Sequence, residues 1–364
     1  MLSCCARPIG SRAPSDADVA RRSDPGGLEG VLIVAKPAGP TSHDVVALVR
    51  RLSGTRRIGH GGTLDPFASG VLPLYLGGAT RLVEYHLGDR KRYRATVCFA
   101  ASSSTDDLDG ELTPVAGPIL SSEVVTAALD AFRGPISQRP PAYSAIQVGG
   151  RRAYALAREG APQHLPEREV TIHELDLIAW NSDDPARPIA ILDVTCSAGT
   201  YIRALARDLG AAVGSAAYLG ALTRTGSGSF GIEDAHSLET LRTVASESPA
   251  GLVPMLLPAD AGLEALPSIH LSEEEIRDAR MGRYVRPEAG VANLPGATPL
   301  RLVDESDRIV GIGTRDGPRI APSKMLSGIN ESNDGAVAPE PLPEPEPHPA
   351  REPESASGDG PERG

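Results

Sequence analysis

Aromatic side chains are scarce in this chain of 364 residues: one Trp, four Phe and eight Tyr make up 4% of it. An aromatic placed among basic residues therefore carries weight. Cysteine is scarcer still, with Cys4 and Cys5 adjacent near the N-terminus and Cys98 and Cys196 in apolar, strand-like runs. No C-x-x-C pair or Cys/His cluster has metal-ligand spacing. That excludes a disulfide framework, predicts no metal site, and leads us to expect reduced thiols in a cytoplasmic protein. No apolar stretch approaches the roughly 20 residues that span a bilayer. The first residues carry arginines and serines but no apolar core of a secretory signal, and Asp16, Asp18 and Asp24 argue against a transit peptide. Residues 1–27 are expected to form a disordered extension.

Net basic charge is also lacking. The formal charge is −11, which by itself discourages a nucleic-acid partner. Its distribution reverses that inference. From Ile329 onward nine acids face only Arg351 and Arg363, so the tail holds −7 of the total. Its Pro–acid alternation, PEPLPEPEPHP, cannot bury a core, and residues 329–364 are expected to be extended and disordered. Between Lys36 and Arg94 ten Lys and Arg stand against four acids, a local +6 of the kind a polyanion requires.

What the chain does contain is a mixture of strand and helix signals. VLIVAKP, VLPLYLG, RYRATVCFA and IAILDVTC read as strands, the third alternating Tyr93, Ala95, Val97 and Phe99. SHDVVALVRRLSG, SSEVVTAALDAFRG, AYALAREG and YIRALARDLGAAVG read as helices, the first with a Ser/Thr start and a terminal Gly54. There is no regular βαβ repeat. The fold class expected is α+β: one mixed sheet with packed helices to about residue 250, then a small β-rich unit over 265–328. In that unit a strand and short helix precede a hairpin turning at Glu305–Asp307.

The run GHGGTLDP, Gly59 to Pro66, sets Asp65 on a loop defined by its backbone. Glycines permit tight approach, and Pro66 keeps the preceding residue extended and outside any helix. A carboxylate held this way suits a nucleophile or general base, although an isolated run of this kind is also compatible with a plain Asx-turn. Retaining and inverting glycosidases need two carboxylates, and the sequence offers Asp65 no convincing second one.

Asp65 stands among other ordered blocks: KPAGPTSHDVV, GHGGTLDPFASGVLPLYLGGATRL, KRYRA, RPPAYSAIQVGGRRAYALAREG, CSAGTYIRALARDLG and LTRTGSGSF. Together they closely resemble bacterial TruB-type tRNA pseudouridine synthases, which isomerise the T-loop uridine (position 55 in tRNA numbering). The resemblance is dense over residues 28–235 and continues weakly to about 328. It implies a pseudouridine-synthase-like mixed sheet and a PUA-like C-terminal domain. Asp65 would be the catalytic aspartate, Arg203 its cationic partner and Tyr93 the residue that stacks on the base, a contact worth about 1–3 kcal/mol. Leu222 would be an apolar pocket wall, and His60 would fill the space of the extruded base.

Lys36, Arg81 and the Arg90–Arg94 cluster are candidates for phosphate contact. The isomerisation needs no cofactor, since it changes no redox state and adds no group. The implied partner is the tRNA T-arm stem-loop, with no membrane and no obligatory protein partner, and a monomer is expected. A tRNA-folding helper and a guide-RNA-dependent rRNA enzyme are the alternatives. Ala35 and Gln147 depart from the family's usual aspartate and lysine, which removes charge near segments expected to face RNA.

Overall fold

The computed structural model describes residues 27–326, apart from 288–290, 292, 293, 295 and 297. The expectations for 1–26 and 329–364 lie outside the described residues. Ten strands form the main sheet: β1 (Gly30–Lys36), β2 (Ile58–His60), β3 (Ser69–Leu76), β4 (Lys91–Phe99), β5 (Gly134–Gln138), β6 (Arg168–Asn181), β7 (Ile189–Cys196), β8 (Ala217–Ser227), β9 (Phe230–Gly231) and β10 (His236–Ser237). Their spatial order is β10-β1-β3-β8-β4-β7-β6-β5, with β2 paired to β3 and β9 to β8. The β1–β10 and β3–β8 pairs are parallel and the others antiparallel, so the sheet is mixed, as expected.

Helix α1 (Ser42–Ser53) begins in a capping box. Thr41 accepts from the Asp44 amide at 3.1 Å, and the Asp44 carboxylate accepts from the Thr41 amide at 2.8 Å. The helix stops at Gly54, whose φ of 66° is the left-handed turn that glycine adopts readily. Val45 and Val49 face the sheet and pack with Leu32, Val34, Leu72 and Leu74. On the opposite face of the same strands Val31, Ile33, Val71 and Tyr75 are buried against Leu82, Phe230 and Leu263. Burial of both faces explains why VLIVA and VLPLYL are continuously apolar instead of alternating.

Helices α2 (Ser122–Leu129), α3 (Ala153–Arg158) and α4 (Ile202–Ala212) follow the expected positions. Besides four short strands, two long ones had no clear signal in the sequence, and both of these are broken by bulges. β6 shifts register between Ile172 and Glu174 and again between Leu177 and Ala179, which interrupts the period-2 pattern. β8 shifts between Leu219 and Ala221 and between Arg224 and Gly226, and it buries a charged residue, Arg224, in mid-strand.

The C-terminal region forms a four-stranded sheet in the order β11 (Ser268–His270), β12 (Pro299–Val303), β13 (Ile309–Asp316) and β14 (Arg319–Met325). Helix α5 (Glu273–Arg280) follows β11, and β12–β13 is the expected hairpin, with Asp307 at φ 59° in its turn. Ile312 and Leu326 join the Val31–Tyr75 face of the main sheet, so the two sheets share apolar contacts.

Where β3 first meets β8, Gly70 lies opposite Arg224 at φ 110°. A β-carbon there would stand 2.1 Å from the Arg224 carbonyl oxygen. Gly70→Ala is therefore expected to destabilise the fold by at least ~2 kcal/mol, measured as a lower urea midpoint with unchanged slope.

Candidate active site

The loop from Gly61 to Ala68 joins β2 to β3, and much of its polar backbone is held by groups outside it. Gly61 donates to the Pro73 carbonyl at 3.0 Å, and the Gly62 amide donates to Nδ1 of His60 at 3.3 Å. Ser42, at the start of α1, bonds both polar groups of Leu64, accepting from its amide at 2.9 Å and donating to its carbonyl at 3.1 Å. Two buried cations complete the frame. Arg224, 1% exposed, donates to the carbonyls of Val71 (2.7 Å), Gly62 (3.2 Å) and Thr63 (3.4 Å). Lys36, also 1% exposed, donates through Nζ to Ala68 (2.7 Å), Pro37 (2.9 Å) and Pro66 (3.2 Å). Burial pulls the Lys36 ammonium down to about 8.

The half-buried Asp65 side chain points from this frame toward α4, where Nε of Arg203 lies 3.0 Å from its Oδ2. Arg203 is itself buried and does not fork onto Asp65. Its Nη1 donates to Oδ2 of Asp107 and to the Thr105 carbonyl, both at 3.1 Å, and its Nη2 donates to the Tyr143 carbonyl at 2.9 Å. The arginine is thus a bridge between two carboxylates, fixed by two carbonyls. One turn along α4, Arg207 pairs with Asp106 at 2.7 Å and donates to the Arg139 carbonyl at 2.9 Å. Burial raises the Asp65 carboxyl above its ordinary range, with Asp107 and Asp109 adding to the effect and Arg203 and Lys36 opposing it. A carboxylate so raised is a stronger base and nucleophile than a solvated one.

Tyr93 sits half-buried on β4, directly opposite Arg224 of β8. Burial raises its phenol, while the hydrogen bond and charge of Arg224 lower it. Leu222, two residues before Arg224, is buried at 8% exposure. His60 is half-buried at the start of the loop with its ring edge-on to His43 at 5.8 Å. Burial, His43 and Arg224 together lower its imidazolium. The structure thus pairs Asp65 with Arg203 of α4 and sets Tyr93 of β4 and Leu222 of β8 on neighbouring strands, with His60 at the start of the Asp65 loop.

Two of the expected phosphate contacts are engaged within the fold. The Lys36 ammonium is buried under the Asp65 loop and donates to three carbonyls. Arg81 is half-buried, and its Nη1 donates to the Met325 carbonyl, which ties β14 to the main body. Within the Arg90–Arg94 cluster, Lys91 is buried, Arg94 is held by Asp193 through two bonds of 2.8 Å, and Arg92 is exposed. Cys196 is fully buried with its thiol pushed up to about 11 by burial, as a core residue would be. Asp107, Arg207, Ser42 and Arg224 escaped the sequence reading. The paired acids in STDDLDG were the available signal for the first two.

Family models match almost all of the described chain: a TruB family pseudouridylate synthase N-terminal domain at residues 50–202, a tRNA pseudouridylate synthase B C-terminal domain at 203–264, and a pseudouridine synthase II TruB C-terminal region at 267–326. The chain belongs to the TruB family. Among curated relatives, tRNA pseudouridine synthase B of Synechococcus sp. (strain WH7803) is 44% identical over 296 residues, covering 79% of this chain and 94% of the relative. The protein of the same name from Arthrobacter sp. (strain FB24) is 44% identical over 276 residues, covering 74% and 87%. Among solved structures, a chain of a Cbf5-Nop10-Gar1 complex aligns with a TM-score of 0.61 at 23% identity, over 83% of this chain and 86% of the other. That likeness concerns the fold. Among the described residues no helix is long and apolar enough to cross a membrane, and no group of His, Cys, Asp or Glu could hold a metal ion.

If Lys36 holds the TruB loop and does not bind RNA, Lys36→Met should lower stability by roughly 2–3 kcal/mol in denaturant unfolding, because it orphans buried carbonyls. Its dissociation constant for RNA should stay within twofold of wild type.

Proposed function

We propose that the protein converts the T-loop uridine of tRNA to pseudouridine, with Asp65 as the reacting carboxylate. The observation that carries this reading is the pairing of Asp65 with Arg203 beside Tyr93, on a loop whose backbone is clamped from outside. The relatives named for tRNA pseudouridine synthesis, 44% identical over most of their length, support the substrate class.

The uridine must leave the folded T-arm, at a cost of a few kcal/mol. Tyr93 then stacks on its face, Leu222 walls the pocket, and His60 stands where the base has vacated the loop. Asp65 either attacks C1′ or removes the C2′ proton, and the same placement serves both. Arg203 orients the carboxylate and stabilises its charge, and Asp107 fixes the arginine. The bond from C1′ to N1 breaks and the base turns in place; C5 then bonds to C1′ as the Asp65–C1′ bond breaks, or as Asp65 returns the C2′ proton, while the C5 proton leaves and N1 is reprotonated. Atoms balance without a cofactor. Arg90 and Arg92, both exposed, are the remaining candidates of the cluster for phosphate contact. A monomer acting on the T-arm stem-loop, without an obligatory protein partner, fits this chemistry. Residues 28–250 make up the catalytic body, and 265–328, with its four-stranded sheet, the PUA-like unit.

The test is conversion of an unmodified T-arm stem-loop by purified protein without added cofactor. Wild type should form pseudouridine, and Asp65→Asn should lose activity by roughly a hundredfold or more. Binding without conversion by wild type would favour the folding helper. Equal conversion by Asp65→Asn would remove Asp65 from the chemistry.

The same variant reports on stability. The folded-state pKa of Asp65 is raised, so folding favours the protonated form and the ionised carboxylate opposes folding near pH 7. Asp65→Asn should melt no lower than wild type at pH 7. Its advantage should shrink as the pH falls through the raised pKa toward the unfolded value.

A further inference from the structure

Beneath the Asp65 loop the buried charges do not balance. Lys36, Lys91, Arg203 and Arg224 are each at least nine-tenths buried. The carboxylates in contact with them are Asp65 and Asp107, and both belong to Arg203. Lys36 and Arg224 donate to neutral carbonyls, and among the described residues the buried Nζ of Lys91 has no hydrogen-bond partner. Four cations against two acids leave a formal excess of two positive charges. The other acids that face this group, Asp44, Asp89 and Asp109, are exposed or half-exposed and so are screened by solvent.

Lys91 lies on β4 two residues from Tyr93 and therefore on the same face, opposite Cys196 of β7 and Ser227 of β8. A β-carbon on Gly62 would stand 3.9 Å from its Cε and 3.8 Å from Nη1 of Arg224, which places both cations against the loop that carries Asp65. An ammonium this buried without a partner is unfavourable for folding by itself. Such groups persist where their charge has a use.

We propose that this unmatched positive charge stabilises the departing uracil, and that Lys91 is the member whose charge is given wholly to that purpose. The inference rests on the proposed isomerisation. When the bond from C1′ to N1 breaks, its electron pair leaves with the base, whether Asp65 attacks C1′ or removes the C2′ proton. The detached uracil carries a full negative charge until C5 rebonds to C1′, the C5 proton is lost and N1 is reprotonated. A fixed cation in a dry site lowers the energy of that anion without touching it. Arg224 and Lys36 add to the field but are committed to the backbone, so their removal would confound charge with structure. Lys91 can be neutralised without orphaning a carbonyl. Its ammonium is drawn down to about 8, first by burial and then by Arg224, while Asp89 and Cys196 oppose the shift. It is therefore mostly charged at pH 7.

The experiment compares wild type, Lys91→Met and Lys91→Arg in single-turnover reactions at pH 7 on two T-arm stem-loops, one with uridine and one with 5-fluorouridine at the target. Loss of the N-linked nucleoside is read in digests of the RNA, and the dissociation constant is measured for each pair. Fluorine withdraws electrons and makes the base a better leaving group, so it needs less help from the field. Lys91→Met should slow the uridine reaction by about fivefold to fiftyfold. The loss should be clearly smaller with 5-fluorouridine, affinity should be unchanged, and Lys91→Arg should recover most of the rate. Equal losses on both substrates, a loss confined to affinity, no loss, or no recovery by arginine would each overturn the proposal. Failure of wild type to convert uridine would instead overturn the proposed function, and the inference with it.

Discussion

Two buried cations without acid partners hold the loop on which everything else depends. Lys36 from the end of β1 and Arg224 from the middle of β8 donate six hydrogen bonds to backbone carbonyls, four of them within Gly62–Ala68. A short polar loop between strands would ordinarily solvate its carbonyls and move. Here those carbonyls are directed inward onto fixed charges. The cost of burying the charges is offset by bonds to ionised donors, which are about twice as strong as neutral ones. The loop is rigid because its backbone, more than its side chains, is the ligand of these residues. Asp65 is consequently free of structural duties and presents its carboxylate to Arg203.

The legible part of this protein was the part written in period and punctuation. The apolar face of α1, its Thr41 cap and Gly54 stop, the alternation of β4 and the β12–β13 hairpin all follow local rules that a sequence displays. Asp65 and Arg203 stand in short, positional motifs, and the structure pairs them at 3.0 Å. The setting of Lys36 was hidden for one reason. A basic residue in a basic stretch suggests a surface, and nothing in one dimension says that three carbonyls await it in the interior. Arg224 was hidden by the same blindness. β6 and β8 were hidden by bulges, which shift the phase of alternation by one residue and erase the signal that would reveal a strand.

The placement of the two sheets explains another asymmetry. β1 and β3 are covered on one face by α1 and on the other by residues that include Ile312 and Leu326 of the C-terminal sheet region. Arg81 and the Lys324–Glu84 pair at 3.4 Å add polar ties at that junction. β1 and β3, the second of which leads out of the Asp65 loop, are thus buried on both sides. β5 and β6, with the excursion between them, lie at the other edge of the main sheet.

One bridge joins such a segment to the chemistry. The guanidinium that contacts Asp65 also holds the Tyr143 carbonyl, and Arg207 one turn on holds that of Arg139. Residues 139–166, which contain the α3 turn between β5 and β6, therefore begin at a point wired to the reacting carboxylate. RNA that moved this excursion would pull on the same planar group that sets the direction of Asp65. The direction of Asp65 and the point at which this excursion begins are thus set by one side chain.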